Sequence, residues 1–354
     1  MLEVLRQIRH SIIEPIGVGE GMNSAVYRAY DPYLQREIAV KEIQKARFAN
    51  DFDAYCEEAR AMSEVSHVNI VKVEYVCETT DQVVIALPHF ADGSLKRRIA
   101  NGPLDLGQFV RVALGILSGV TQVHSKGLLH LDLKPTNILF DHVGNPLIAD
   151  FGQARRLTST GTVSYPTMYE RFMPPEVWDS HTAVLESDIY QVGLLLYAAV
   201  NGDPIYQAQK AAVRDSAELH DRVRRGRFPD RQFFLPHVPK RFRTVIRKAM
   251  KVDPTERYHS AAEFASALGR VPPSLNWTTS ALGRGAYGWR AVRVEGPDLE
   301  VQLTLGSSAE WETKVWTVRG HERRARGLSD YWQHGLTHKQ ACEHLTEVFV
   351  DLAR

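Results

Sequence analysis

The chain has 354 residues, 44% of them hydrophobic and 24% charged, with a net charge of +1. That length favours two domains, and the composition is that of a globular protein with a sizeable core. The near-neutral balance excludes a broad electrostatic bias towards nucleic acid or anionic membrane. Cys56, Cys77 and Cys342 are too few and too scattered for a disulfide framework, which favours a reducing cytosol. The first residues lack the apolar core of a secretory signal. The longest uninterrupted apolar run, Val192 to Val200, is too short to span a bilayer. A cytoplasmic protein is expected.

From Ile12 to about Phe90 the sequence alternates as half-buried strands do, with one helix inserted. Gly17, Gly19 and Gly21 crowd a turn ahead of the strand-like Ala25 to Ala29. Glycine lets a backbone approach phosphates because no Cβ intervenes, although a tight hairpin would use the same residues. In Glu37 to Lys41 the two-residue period puts Ala39 and Lys41 on one sheet face. A small residue beside a lysine leaves room for a flat base while the ammonium reaches phosphates. The plainer reading is a solvent-facing lysine on an edge strand. Phe48, Phe52, Tyr55, Ala59, Met62 and Val65 recur at steps of three and four, which predicts an amphipathic helix. Glu58 borders its apolar face, whereas Glu57 points roughly opposite. A carboxylate against the core needs a cationic partner, and Lys41 is the obvious one for Glu58; Glu57 is the alternative. Val83 to Leu87 then reads as a buried strand running into Pro88-His89-Phe90, a Pro/Gly linker with or without a ligand.

Beyond Leu104 the pattern becomes helical, with an apolar stripe at Leu106, Phe109, Val110, Ala113, Ile116, Leu117, Val120 and Val123. It leads into His130-Leu131-Asp132-Leu133-Lys134-Pro135-Thr136-Asn137-Ile138-Leu139. Asp150-Phe151-Gly152 begins 18 residues after Asp132. These segments supply one acid to orient a hydroxyl, a lysine for a phosphate, and an amide plus a second acid for magnesium. That is the equipment of phosphoryl transfer. Ser187 to Gly193 opens a nearly all-apolar helix, which belongs at the centre of its domain. The basic stretch Arg222 to Arg231 is read as a solvated helix face rather than a nucleic-acid site.

Taken together, these motifs strongly resemble the eukaryotic-like (Hanks-type) Ser/Thr protein kinases, over about Ile8 to Leu268. The resemblance implies a bilobal α+β fold, with a β-rich lobe over about 8–88 and a helical lobe over about 91–270. ATP would lie between the lobes, against Val18, Gly19, Gly21, Ser24, Val26, Ala39 and Leu139. Leu87 would be the gatekeeper, with the Pro88 carbonyl and the Phe90 N–H at the adenine edge. Lys41 would be held by Glu58, which stands nine residues before His67. Asp132 would be the catalytic acid, Lys134 the phosphoryl-stabilising cation, and Asn137 and Asp150 the Mg2+ ligands. Asp188 would brace the catalytic loop, and Glu176 of Pro174-Pro175-Glu176 would pair with Arg257. Two departures stand out. Leu131 replaces an arginine that pairs with activation-loop phosphate, and Tyr169 lies where a threonine is usual. Lys134 favours Ser/Thr over Tyr as acceptor. The rival reading is a pseudokinase scaffold, but Lys41, Asp132 and Asp150 are all retained.

Val271-Pro272-Pro273-Ser274 marks a boundary, and 274–354 reads as a small α+β domain. Leu299, Val301, Leu303 and Leu305 alternate as in a strand, Trp311 to Val318 suggests another, and Thr337 to Gln340 is a capping-box pattern before a helix. From residue 271 onward ten Lys+Arg face ten Asp+Glu, which leaves no footprint for nucleic acid. Gly283-Arg284-Gly285-Ala286-Tyr287-Gly288 matches a nucleotide-loop pattern, yet strand follows it, so a hairpin is expected. His338 and Cys342 lie one helical turn apart but lack further ligands for zinc; a structural His and a half-buried Cys are expected. A protein substrate is the expected partner, with a protein partner possible for the tail.

Overall fold

The computed structural model describes residues 8–16, 24–48, 60–165, 172–271, 275–283, 285–306 and 308–353. The first unit is an antiparallel sheet in the order β1-β2-β3-β5-β4, formed by β1 (Ser11–Ile16), β2 (Ser24–Asp31), β3 (Arg36–Gln44), β4 (Tyr75–Glu78) and β5 (Gln82–Pro88). Residues opposite one another in such a sheet share a face. Val26, Lys41 and Ile85 form one row and Arg28, Ala39 and Leu87 the next, so Ala39 and Lys41 share a face as the period predicts. The opposite face buries Ala29, Ile38, Val40, Val84 and Ala86. Phe48 closes a 3-10 turn, Lys45–Phe48; Phe52, Tyr55 and Ala59 of the predicted helix lie outside the described residues. The described end of that helix, 60–64, buries Ala61 and Met62, with Val65 just beyond it.

The second unit is helical. Among its elements are α1 (Leu95–Arg98), α2 (Leu106–Ser125), α3 (Pro175–Ser180), α4 (Leu185–Asn201), α5 (Asp203–Ala211), α6 (Ser216–Arg224), α7 (Lys240–Ala249) and α8 (Ala261–Gly269). Every residue of α4 from Ser187 to Asn201 is buried, as its nearly continuous apolar sequence requires. Although polar residues interrupt it, α2 is long and apolar enough to cross a bilayer by composition. In this fold its stripe, including Phe109, Ile116, Leu117 and Val120, is buried in the core. Gly119 lets the chain approach α2 closely: a Cβ there would meet Ile148 Cδ1 at 2.8 Å and the Asn69 carbonyl at 3.0 Å. Ile148 sits in the short ladder of β7 (Ile138–Phe140) and β8 (Pro146–Ile148). Its N–H donates to that same Asn69 carbonyl at 2.8 Å. The space left by one missing side chain therefore sets the depth of the strand that leads to Asp150.

Glu176 and Arg257 meet as the resemblance implies. Arg257 Nη1 and Nη2 donate to the two carboxylate oxygens at 2.9 and 2.7 Å, and the guanidinium also donates to the Lys251, Val252 and Glu186 carbonyls. Ser187 Oγ adds a bond to Glu176 at 2.7 Å. The basic stretch is not one helix face: α6 ends at Arg224, and Arg231 is half-buried, donating to Tyr190 Oη at 3.2 Å. Arg222, Arg224 and Arg225 do lie towards solvent, paired with Glu218, Asp179 and Asp221.

The tail is a sheet in the order β12-β13-β14-β15-β16, with β17 also beside β15. Its strands are β12 (Trp277–Gly283), β13 (Ala286–Ala291), β14 (Asp298–Leu305), β15 (Trp311–Arg319), β16 (Glu322–Arg324) and β17 (Gln333–Leu336). The glycine motif is the β12–β13 turn, with Gly283 and Gly285 at φ 89° and 79°. Thr337 and Gln340 form the expected capping box at the start of α9 (His338–Leu352). His338 packs edge-on to Trp311, and Cys342 is half-buried, its Sγ 3.8 Å from His338 Nε2. The tail shares one continuous core with the helical unit. Trp277 and Trp289 pack on Phe349 with ring centroids 4.9 and 5.3 Å apart, and Trp289 Nε1 donates to His237 Nδ1 at 3.0 Å. Asn276 Oδ1 accepts from the Gly107 N–H of α2 at 2.8 Å.

Arg257 is 1% exposed, so removing its partner strands a buried charge, and removing Arg257 itself strands Glu176 and several carbonyls. Arg257→Ala is expected to cost about 3–5 kcal/mol, read from the urea midpoint at unchanged slope. A loss within the range of an exposed ion pair, below about 1 kcal/mol, would mean that this network carries little of the fold.

Candidate active site

The site is built outward from the first turn of α4. Asp188 is fully buried, and its carboxylate accepts from the backbone N–H groups of His130 and Leu131, each at 2.8 Å. His124 Nε2 approaches the same group at 2.8 Å. Burial alone would raise the Asp188 pKa, but the His124 hydrogen bond and charge, then His130, reverse this and hold it below the usual carboxylate range. One turn along α4, Gln191 Nε2 donates to the Leu131 carbonyl and its Oε1 accepts from Leu133 N–H, both at 3.0 Å. The loop is thus gripped at both amide polarities, which permits Leu131 its left-handed φ of 64°.

His130 ties this loop to the segment carrying Asp150. Its Nδ1 accepts from Asp132 N–H at 3.3 Å, which leaves the proton on Nε2, 3.2 Å from the Ala149 carbonyl. Burial lowers its pKa, so the ring is neutral and suited to that relay of bonds. The ring also meets Phe151 edge-on at 4.7 Å. Ala149 N–H donates to the Asn137 carbonyl at 2.9 Å.

Within this frame Asp132 Oδ2 accepts from Lys134 Nζ at 2.7 Å and from Asn137 Nδ2 at 2.8 Å. Burial raises the Asp132 pKa, against the opposing charge and hydrogen bond of Lys134. The second Asn137 amide hydrogen bond goes to the Asp132 carbonyl at 2.9 Å, which fixes the amide orientation. Lys41 Nζ lies 2.6 Å from Asp150 Oδ1. Burial would raise the Asp150 pKa, but Lys41, with Lys134 and His130 behind it, depresses it well below the ordinary value. Two acids with opposite shifts therefore stand beside two lysines.

The sheet unit closes the other side. Leu87 faces Ala39, and Pro88 ends β5 opposite Ile38. The linker folds back on the helical unit: Ser94 bridges Leu139, Phe140 N–H donates to the Gly93 carbonyl at 3.2 Å, and the Phe90 carbonyl accepts from Gly93 N–H at 3.0 Å. Ser24 opens β2 opposite Ile43, and Val26 pairs with Lys41.

The comparisons with known proteins agree with this geometry. Residues 14–267 match the protein kinase domain family. The chain belongs to the protein kinase family. It is 32% identical over 333 residues to the serine/threonine-protein kinase PrkC of Bacillus subtilis, covering 92% of this chain and 49% of that protein. It is 31% identical over 263 residues to the probable serine/threonine-protein kinase PknB of Lactococcus lactis, covering 72% and 41%. To the DNA damage-responsive serine/threonine-protein kinase RqkA of Deinococcus radiodurans it is 30% identical over 293 residues, covering 79% and 42%. The chain thus spans about half the length, or less, of these relatives.

In this kinase fold the structure brings together Lys41, Asp132, Lys134, Asn137 and Asp150. Val18, Gly19, Gly21, Glu57, Glu58 and Tyr169 lie outside the described residues. The sequence reading missed Tyr165, whose Oη donates to the Leu131 carbonyl at 2.7 Å, and the roles of His124 and Gln191. Gln191 was visible as a polar residue on a nearly all-apolar helix, whereas His124 is one of several polar residues on α2. Tyr165 had no such signal.

Lys41 opposes burial at Asp150, so Lys41→Met should raise the Asp150 pKa towards or above the ordinary value of about 4. The sign follows from the depressed folded value: the pair stabilises above the unfolded pKa, and that contribution fades as pH falls through the folded one. Carboxyl-carbon NMR titration measures this directly. An identical Asp150 titration in both proteins would show that Lys41 is not its electrostatic partner.

Proposed function

We propose that this chain transfers the γ-phosphoryl group of ATP to a serine or threonine hydroxyl of a protein substrate. The observation that carries the reading is the convergence of Asp132, Lys134, Asn137, Asp150 and Lys41 in one cleft, on a scaffold that buries their supports. Asp132 orients the acceptor hydroxyl and takes its proton late. Its raised pKa suits a base that must hold that proton. Lys134, 2.7 Å from Asp132, stabilises the phosphoryl oxygens as they pass. Lys41 meets the nucleotide phosphates near Ser24, which opens β2; Glu58, Val18, Gly19 and Gly21, expected with them, lie outside the described residues. The base lies between Val26 and Ala39 above and Leu139 below, with Leu87, Pro88 and Phe90 at its edge.

The donor set fits magnesium: an amide oxygen on Asn137 and an ionised carboxylate on Asp150 are hard ligands, and phosphate oxygens complete such sites. When bound, the ion supplies charge neutralisation at those phosphate oxygens.

Control is read from Leu131. It is buried with Leu129, Val163, Tyr165, Met173, Val177 and Ala183, so apolar contact and the Tyr165 hydrogen bond hold the activation segment. The segment also pairs as β9 (Arg155–Arg156) with β6 (Leu128–Leu129), and as β10 (Val163–Ser164) with β11 (Thr182–Ala183). Arg155 and Arg156 are bonded to backbone carbonyls, and Arg156 also to Glu64. Basal activity without loop phosphate follows, with regulation reaching the kinase through the tail and a protein that docks there. A cytoplasmic setting suits the unpaired Cys77 and Cys342.

Two experiments test this. Asp132→Asn should lower transfer from labelled ATP at least about a hundredfold while nucleotide affinity and melting temperature hold. Transfer near the parent rate would remove Asp132 from the mechanism, and phosphotyrosine as the main product would overturn the acceptor class. Separately, alanine at Thr158, Ser159, Thr160, Thr162 and Ser164 should leave the basal rate largely intact. Loss of activity there would place control in the loop.

A further inference from the structure

The tail and the helical unit form a half-open cavity of about 340 Å³ that shares no residue with the catalytic cleft. Val271, Trp277, Phe349 and Val350 supply apolar walls, and Lys240 and Arg241 stand at the first turn of α7. The volume is at the lower end of the range of small-molecule sites, about 300–1,000 Å³. Among the described residues no acidic side chain lines it. Pro239, the N-cap of α7, offers no side-chain acceptor, and the first turn carries no acid. The free amide ends of that turn and two cations therefore add their positive potential, the reverse of the usual arrangement. Lys240 and Arg241 are exposed, and neither is in an ion pair among the described residues. Behind them Arg243 is spent on the Leu235, Pro236 and Val238 carbonyls, so it adds charge without an opposing carboxylate among the described residues.

We propose that this cavity binds an amphipathic organic anion, its apolar body against Trp277 and Phe349 and its carboxylate at the first turn of α7 between Lys240 and Arg241. Charge complementarity selects the head, and the aromatic walls and small volume select a compact body. Because the walls come from both the helical unit and α9, the occupant ties the tail to the kinase. Its binding raises the stability of the joined form by mass action.

The full chain is titrated with decanoate and with 1-naphthoate, an acyl and an aryl body bearing one carboxylate. Calorimetry and thermal melting are the readouts, with acetate and decylamine as controls. The expected result is saturable binding and a rising melting temperature for at least one of the two carboxylates, and neither for the controls. Which one binds identifies the body. Lys240→Glu with Arg241→Glu, two changes at the solvent-facing rim, should weaken binding roughly tenfold or more. Val350→Trp, which fills the cavity from its half-exposed edge, should abolish it without lowering the basal melting temperature. Equal binding of decanoate and decylamine, no binding of either carboxylate, or affinities unchanged in both variants would overturn the proposal.

Discussion

A single buried carboxylate sets the geometry of the catalytic cleft. Asp188 cannot be solvated, so its charge must be met by donors, and the donors are the backbone of the loop that carries Asp132. Its position at the first turn of the central helix adds the helix dipole to that demand. Because α4 is buried on all sides, the demand is made from a rigid place. The loop, His130 and the Asp150 segment then follow in a chain of hydrogen bonds, each fixing the next.

Much of this was readable from the chain because the chemistry is local. Asp132, Lys134 and Asn137 fall within six residues, and their mutual bonds are short-range consequences of that spacing. The pairing of Glu176 with Arg257 was readable only through resemblance, since 81 residues separate them. The shared face of Ala39 and Lys41 followed from strand period alone. Period alone did not separate helix from tighter turn: Phe48 fits a helical stripe but sits in a 3-10 turn. Periodicity counts apolar positions and says nothing of where the backbone begins to coil. Uninterrupted apolar length was likewise a poor measure for α2, whose polar residues are spaced between buried ones.

The tail shows a different limit. The Pro-rich stretch near 272 marks a change in composition, and composition cannot tell a linker from a corner. The small α+β tail expected over 274–354 packs its Trp289 and Phe349 against His237 of the helical unit. Burial keeps His237 neutral, its pKa lowered to about 3, so the contact around it is one of packing and neutral hydrogen bonds, chiefly that from Trp289, rather than of charge. Such an interface is drier and less sensitive to salt than a surface ion-pair contact.

Leu131 puts an apolar side chain, not a basic one, beside the catalytic acid, and that has a physical consequence. A loop held by phosphate and arginine loosens when salt screens the pair. The Leu131 cluster is held by burial of apolar surface, which screening leaves alone but cooling weakens. The contacts of Leu131 with Val163 and Tyr165 therefore depend more on temperature than on ionic strength.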